Sequence, residues 1–215
     1  MNRSNPASQT RPRPGFLLAL EGIDGTGKTT LAAALARALE ARGWRVLTTF
    51  EPTRGPYGQQ IRRLAAQGRE GVTPREETEL FIADRREHVA AEIAPALAAG
   101  RLVIMDRYYY STMAYQGARG MDPAEIERRH QGFAPEPDLL VILDLPIEEA
   151  LHRITAKRGS VPDAFEGAPY LEAVRRIFHQ IKHPNLLALD ARATTDALVQ
   201  AILERVGRSP REGEA

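Results

Sequence analysis

Gly22-Ile23-Asp24-Gly25-Thr26-Gly27-Lys28-Thr29 decides how this chain is read. The stretch fits G-x-x-x-x-G-K-[ST], a loop whose backbone N–H groups close round a phosphate. Before it, Phe16-Leu17-Leu18-Ala19-Leu20 reads as a buried strand. After it, the Ala/Leu-rich run from Thr30 to Ala41 reads as a helix with one apolar face. Strand, glycine loop and helix, in that order, are what the chemistry requires. Glycine lets successive N–H groups approach an anion, and the helix presents roughly half a positive charge at its N-terminus. From such a loop Lys28 reaches β- and γ-phosphates, and the Thr29 hydroxyl can hold Mg2+. A plain glycine turn needs neither side chain.

Composition bounds the rest. A chain of 215 residues suits one domain with a full hydrophobic core. The formal net charge of +1 gives no polyanion-coating surface, so no nucleic-acid partner is expected. The basic groups are mostly arginine, the lysines being Lys28, Lys157 and Lys182. With no cysteine there is no disulfide and no thiolate metal site. No apolar run approaches the ~18 residues of a membrane helix, so no membrane partner is expected. Residues 1–15 carry Arg3, Arg11, Arg13, Pro12 and Pro14 with no apolar segment, and read as a disordered arm rather than a secretory signal. The cytoplasm is the default compartment.

Outward from the loop, strands and helices alternate. Leu31, Leu35 and Leu39 give the first helix an apolar face, Gly43 ends it, and Arg45 to Phe50 is a second strand. Glu51-Pro52-Thr53-Arg54-Gly55-Pro56 must be a loop. A short helix is expected from Tyr57 to Gln67. A longer one opens at Thr73-Pro74-Arg75-Glu76, a capping box, and runs towards Leu97. Leu102 to Met105 is a third strand, ending at Asp106-Arg107-Tyr108. Helices are expected over Tyr109–Gly117 and Pro123–Phe133, then a fourth strand from Leu139 to Leu143 that ends at Asp144. Ile147–Lys157 reads as a helix and 158–167 as a polar loop. Tyr170–Ile181 is a helix, Asn185–Leu189 a fifth strand, and Ala197–Val206 the last helix, inside a single domain of residues 16–207 with a loose tail over 208–215. Near-continuous apolar strands alternating with helices predict an α/β fold, a five-stranded parallel sheet with helices on both faces. Ligands bind such sheets beyond the carboxyl ends of the strands. Those ends carry Glu21, Glu51, Asp106-Arg107, Asp144 and Asp190, which together predict one polar crevice.

A phosphate loop alone fits motors, switches, transporter subunits and kinases. The guanine-reading N-K-x-D is absent, and no accessory basic domain equips a nucleic-acid motor. The expected crevice does hold arginines outside the loop: Arg54, Arg85 and Arg107. Guanidinium forks grip two phosphate oxygens at once, so a kinase with a small phosphorylated acceptor would look like this. The plainer alternative pairs those arginines with Glu51, Glu76 or Glu79.

At this point the chain resembles the thymidylate kinase family of P-loop nucleoside monophosphate kinases. The resemblance is carried by residues 21–30, Glu51-Pro52-Thr53 and Leu80-Phe81-Ile82-Ala83-Asp84-Arg85. It continues through Asp106-Arg107-Tyr108, Ser111-Thr112, Ala114-Tyr115-Gln116-Gly117 and Pro137-Asp138-Leu139. It implies phosphorylation of dTMP to dTDP with ATP and Mg2+, by a homodimer joined through helices beside the acceptor site. It places ATP on Gly22, Ile23, Asp24, Gly25, Thr26, Gly27, Lys28, Thr29 and Thr30, with Arg153 over adenine, a cation–π contact. It places dTMP among Asp24, Arg54, Phe81, Arg85, Arg107, Ser111, Thr112 and Tyr115. Phe81 would stack on thymine, Arg85 donate to a thymine carbonyl, and Thr112 contact the base. Asp24 would accept from the 3′-hydroxyl, Arg54 and Arg107 hold the acceptor phosphate, and Tyr115 crowd the 2′ position. Thr29 and Asp106 would hold Mg2+, and Lys28, Arg107 and Arg158 would serve catalysis. Other nucleoside monophosphates remain alternative acceptors.

The chain departs from the family in the lid, at about 158–167. Members with no arginine after the loop aspartate, as here with Gly25, use lid arginines in the transition state, often within Asp-Arg-Phe-Glu. This chain has Asp163-Ala164-Phe165-Glu166, leaving Lys157 and Arg158 as substitutes. The departure keeps a second alternative open, a nucleotide-binding module with little turnover.

Overall fold

A computed structural model describes residues 14–158 and 167–207; the side chains of residues 157 and 158 are not described. The expected arm before residue 14, most of the lid and the tail lie outside that range. The central strand β1 (Phe16–Glu21) is buried along its whole length. It pairs in parallel with β3 (Leu102–Asp106) on one side and β4 (Leu139–Asp144) on the other. The edge strands β2 (Val46–Phe50) and β5 (Leu186–Asp190) complete the order β2-β3-β1-β4-β5. This is the five-stranded parallel sheet expected from the alternating pattern.

Helix α1 (Lys28–Glu40) turns the chain back over the sheet, and Leu31, Leu35 and Leu39 are all buried beneath it. Because β1 leads leftward to β2 while β2 leads back to β3, right-handed crossovers put the intervening helices on opposite faces. The last helix, α9 (Thr195–Gly207), packs against α1. The other face takes α3 (Pro74–His88), α4 (Ala94–Ala98), α5 (Tyr109–Gly117), α6 (Pro123–His130), α7 (Ile147–Arg158) and α8 (Ala168–Gln180). With both faces covered, the inner strands carry apolar side chains at nearly every position. The connections leaving β1 and β3 pass to opposite faces of the sheet, so the carboxyl ends of these two strands frame the crevice.

Several boundaries follow local chemistry. Thr73 and Glu76 form the capping box reciprocally, with Pro74 in the first turn of α3. The single long helix expected to Leu97 is instead interrupted by a π-helical turn at Val89–Ile93. There the Ala94 N–H reaches Val89 O, and the wider turn accommodates Pro95, which has no N–H to donate. Helix α6 stops at His130, short of Phe133, because Gly132 takes a left-handed conformation (φ 86°). Pro137-Asp138-Leu139 has a structural use: Asp138 accepts from the Leu17 N–H at 2.8 Å, stitching the entry of β4 to β1.

Candidate active site

The glycine loop joins β1 to α1 and its backbone needs glycine. Gly22 has φ 134°, and a Cβ there would sit 2.3 Å from Leu143 O. Gly22→Ala is therefore expected to cost about 1–3 kcal/mol of stability and to displace the loop, read as a lower Tm with weakened ATP binding. Gly25 (φ 83°) faces Ala150 O of α7 at 2.7 Å from its would-be Cβ. A side chain at position 25 would therefore meet the α7 backbone, so this position supplies no charged group to the loop.

Lys28 is buried and its ammonium donates to Gly22 O (2.9 Å), Ile23 O (2.8 Å) and Thr26 Oγ1 (3.2 Å). Burial, seconded by Arg107, pushes its pKa down to about 8, against the pull of Asp24, Asp106 and Glu21. Below that value the charge is present; above it the charge is lost. Hence kcat/KM for ATP is expected to fall as pH rises through about 8, approaching tenfold per unit. The kcat profile should break at higher pH, since bound phosphates favour the ammonium. A kcat/KM flat to about pH 9.5 would remove this role for the lysine. Next to Lys28, Thr29 Oγ1 donates to Asp106 Oδ2 at 2.6 Å, bringing two hard oxygen donors together at the mouth of the loop.

Asp106 ends β3, and Arg107 bends away in a left-handed conformation (φ 71°). Both of its terminal nitrogens are engaged. Nη1 donates to Gly22 O (3.2 Å) and Ser111 Oγ (2.9 Å); Nη2 donates to Asp24 Oδ1 (2.6 Å) and Tyr115 OH (3.3 Å). Tyr115 donates in turn to Asp24 Oδ2 at 3.2 Å. Burial would raise Asp24, but Arg107 and Lys28 outweigh it and hold its carboxyl down to about 2. Asp24 is thus an acceptor at neutral pH. Beneath this group lies Glu21, fully buried, whose carboxylate accepts from the Tyr108 N–H (2.8 Å), the Ser111 N–H (3.1 Å) and the Ser111 hydroxyl. Burial pushes Glu21 up to about 7 against those hydrogen bonds.

Two clefts open at this edge of the sheet. The larger, about 760 Å3, is lined by the phosphate loop, Thr29, Thr30, Asp106 and, at its far side, Arg153 and Ile154. Arg153 is steadied by donating to Ala191 O at 3.1 Å. The smaller cleft, about 170 Å3, has apolar walls of Pro52, Ile61, Phe81 and Tyr108, with Arg85, Ser111, Thr112 and Tyr115 as its polar lining. Asp24, Glu51 and Arg107 line both clefts and form the wall between them. Arg85 is buried, its guanidinium 5.3 Å from the Tyr108 ring centroid, and gives Nε–H (2.8 Å) and Nη2–H to Glu51 Oε2. Its pairing with Glu51, the plainer reading of the sequence, is therefore real and also aims it at the small cleft. His88 donates from Nδ1 to the other Glu51 oxygen at 3.0 Å. Although burial opposes it, Glu51 and Glu92 raise the pKa of His88.

The structure thus gathers the loop residues, Arg153, Phe81, Arg85, Arg107, Ser111, Thr112, Tyr115 and Asp106 at two adjoining clefts. It does not bring Arg54 there. Asp84 grips the Thr53 N–H (2.8 Å) and hydroxyl (2.6 Å), and Arg54 is left exposed, 5.7 Å from the Phe50 ring centroid. Arg62, from α2 (Pro56–Gln67), stands in the small cleft, donating to Pro52 O (2.6 Å) and Thr53 O; the sequence reading missed it. Nor do all five strand ends face one crevice. Asp144 is bound by Arg175 (2.7 and 2.8 Å) and His179, Asp190 by Arg192, and neither lines either of these two clefts. The lid and the Arg158 side chain lie outside the described residues.

Comparison with known proteins agrees with this geometry. The family model described as thymidylate kinase matches residues 20–202. A thymidylate kinase of Desulfotalea psychrophila is 47% identical over 193 residues, covering 90% of this chain and 95% of that protein. One from Xanthomonas campestris pv. campestris is 50% identical over 186 residues, 86% of this chain and 80% of its own length. With the phosphate loop, the Asp-Arg-Tyr turn and the aromatic-walled second cleft all inside the matched span, the chain belongs to the thymidylate kinase family.

Proposed function

We infer that this enzyme transfers the γ-phosphoryl group of ATP to dTMP, giving dTDP. One observation carries the reading residue by residue: Asp24 and Arg107 line both clefts beside Lys28, and the smaller cleft ends on a buried arginine. ATP phosphates occupy the loop, and Arg153 covers adenine. The thymine stacks on Phe81 with a carbonyl towards Arg85 and Thr112. Asp24, ionised, accepts from the 3′-hydroxyl, Arg107 holds the acceptor phosphate above Ser111, and Tyr115 disfavours a 2′-hydroxyl. The hydroxyl of Thr29 and the carboxylate of Asp106, 2.6 Å apart, fit Mg2+, which prefers few protein oxygens and keeps phosphates and water for the rest. That ion would offset charge on the phosphates. Phosphoryl transfer asks the protein chiefly for positioning and charge, and Lys28, Arg107 and, from the lid, Arg158 supply it. Among the described residues no helix is long and apolar enough to cross a membrane. We place the enzyme in the cytoplasm as a homodimer, on the family resemblance.

The test is ADP release across a panel of monophosphates. An amine at ring position 4 would leave the Arg85 donor unmatched, which costs about 1–3 kcal/mol. dTMP should therefore be best, dUMP weaker, dCMP down at least ~10-fold in kcat/KM, and AMP very poor. Equal use of dTMP and dCMP would sink the thymine assignment. Ala164 favours a second reading, nucleotide binding with little turnover, and ADP release with no acceptor preference or none at all would support it.

A further inference from the structure

The Arg85 guanidinium has five N–H bonds. Glu51 Oε2 takes the one on Nε and one on Nη2, and Thr112 Oγ1 lies 3.3 Å from Nη2 for its second. One N–H of Nη1 points to His130 Nε2 at 2.6 Å. Among the described residues, that leaves a single Nη1 hydrogen for the cleft.

The protonation of His130 follows from its partners. Its Nδ1 lies 2.7 Å from Ile126 O, a carbonyl that can only accept, so Nδ1 carries the proton. Arg85 can only donate, so Nε2 must present its lone pair. A doubly protonated ring would drive two N–H bonds together at 2.6 Å. Burial and then repulsion from Arg85 push this imidazole down to about 3 against the opposing hydrogen bond to Ile126 O, with Arg129 and Arg86 adding smaller repulsion. The ring is buried and stacked on Tyr109 (centroids 5.4 Å, 18°) and packed on Phe133 (5.6 Å). It closes α6, where the helix stops, so a rigid acceptor is held against the back of the arginine.

We propose that His130 is the positioning residue for base recognition: its bare Nε2 ties off one Nη1 hydrogen, so Arg85 presents a single N–H to one pyrimidine carbonyl. The proposal rests on the assignment of the small cleft to the thymine. Without the histidine, Arg85 has a second Nη1 hydrogen without an acceptor, and its plane is held only by Glu51 and the longer contact to Thr112. Base discrimination, not phosphoryl transfer, is what should suffer.

His130→Phe keeps a stacked ring and removes the acceptor; His130→Gln restores an acceptor near the Nε2 position. Steady-state kinetics with dTMP and dCMP would be compared in parent and both variants. His130→Phe is expected to raise the KM for dTMP roughly 10-fold, leave kcat within about 3-fold, and narrow the dTMP/dCMP preference by a similar factor. His130→Gln should recover most of each loss. Parental KM and preference in His130→Phe, or a fall in kcat alone, would overturn the proposal. Should His130→Phe fail to fold, nitrogen-15 spectra of the histidine rings in the parent decide. A neutral ring with the proton on Nδ1 across about pH 5–8 supports the clamp, and an Nε2–H tautomer or a ring titrating in that window overturns it. If the parent itself shows no preference for dTMP, the thymine assignment falls, and the same spectra still judge the clamp.

Discussion

Lys28→Ala is expected to lower kcat roughly 10²- to 10³-fold, with a much smaller change in the KM for dTMP. The ammonium stands at the mouth of the loop with Gly22 O, Ile23 O and Thr26 Oγ1 fixing its position. The charge is therefore held in place before transfer, when negative charge shifts between the phosphates, and ATP need only exchange one of these three bonds for a phosphate oxygen. A carbonyl-anchored charge of this kind acts on the transition state more than on the bound substrates. Retention of near-parental turnover in a folded Lys28→Ala protein would show that the loop is not the catalytic cradle. Circular dichroism and Tm on the same sample separate that outcome from misfolding.

Arg107→Ala is the second large expected loss, roughly 10²-fold or more in kcat/KM for dTMP. Truncating one partner of a charged, hydrogen-bonded pair costs several kcal/mol when both are dry. The wall is partly open, with Asp24 36% and Arg107 18% exposed, so solvent softens the figure and the lower end applies. Two effects combine: in the proposed binding mode the acceptor phosphate loses its guanidinium, and Asp24 loses the stronger of the two cations, Arg107 and Lys28, that hold its carboxyl down. Arg107→Lys should recover only part. One ammonium cannot reach Gly22 O, Ser111, Asp24 and Tyr115 as the planar fork does. Full recovery in Arg107→Lys, or unchanged kinetics in Arg107→Ala, would remove the residue from the site.

What the sequence disclosed was whatever is written in short-range pattern. The glycine loop, the Leu31/Leu35/Leu39 face and the Thr73–Glu76 capping box each depend on residues a few positions apart, and each is found as read. The sheet followed because inner strands buried on both faces must be apolar throughout. What escaped depends on partners far along the chain. Arg54 and Arg62 sit in neighbouring segments, and only the grip of Asp84, some thirty residues on, decides which one faces the cleft. Asp144 ends its strand like Asp106 does, yet Arg175 from α8 neutralises it. His130 stands alone in the sequence with no motif around it; its meaning comes from Arg85, Tyr109 and the carbonyl one turn back. The long helix was read through its π-helical turn because apolar spacing tolerates one widened turn.

The ion pair across the wall also has a bearing on which solutes the free enzyme ignores. Arg107 is already matched by Asp24 at 2.6 Å, so the wall between the clefts does not present that guanidinium to the medium as a bare charge. A bare anion such as chloride or inorganic phosphate would have to compete with a tethered carboxylate, and it brings nothing else to offset that competition. In the proposed binding mode a nucleotide would bring a base to Phe81 and a carbonyl to Arg85, both of which line the small cleft, and those contacts would supply the difference. At that wall the carboxylate serves as a built-in competitor, trading some affinity for selectivity against small anions.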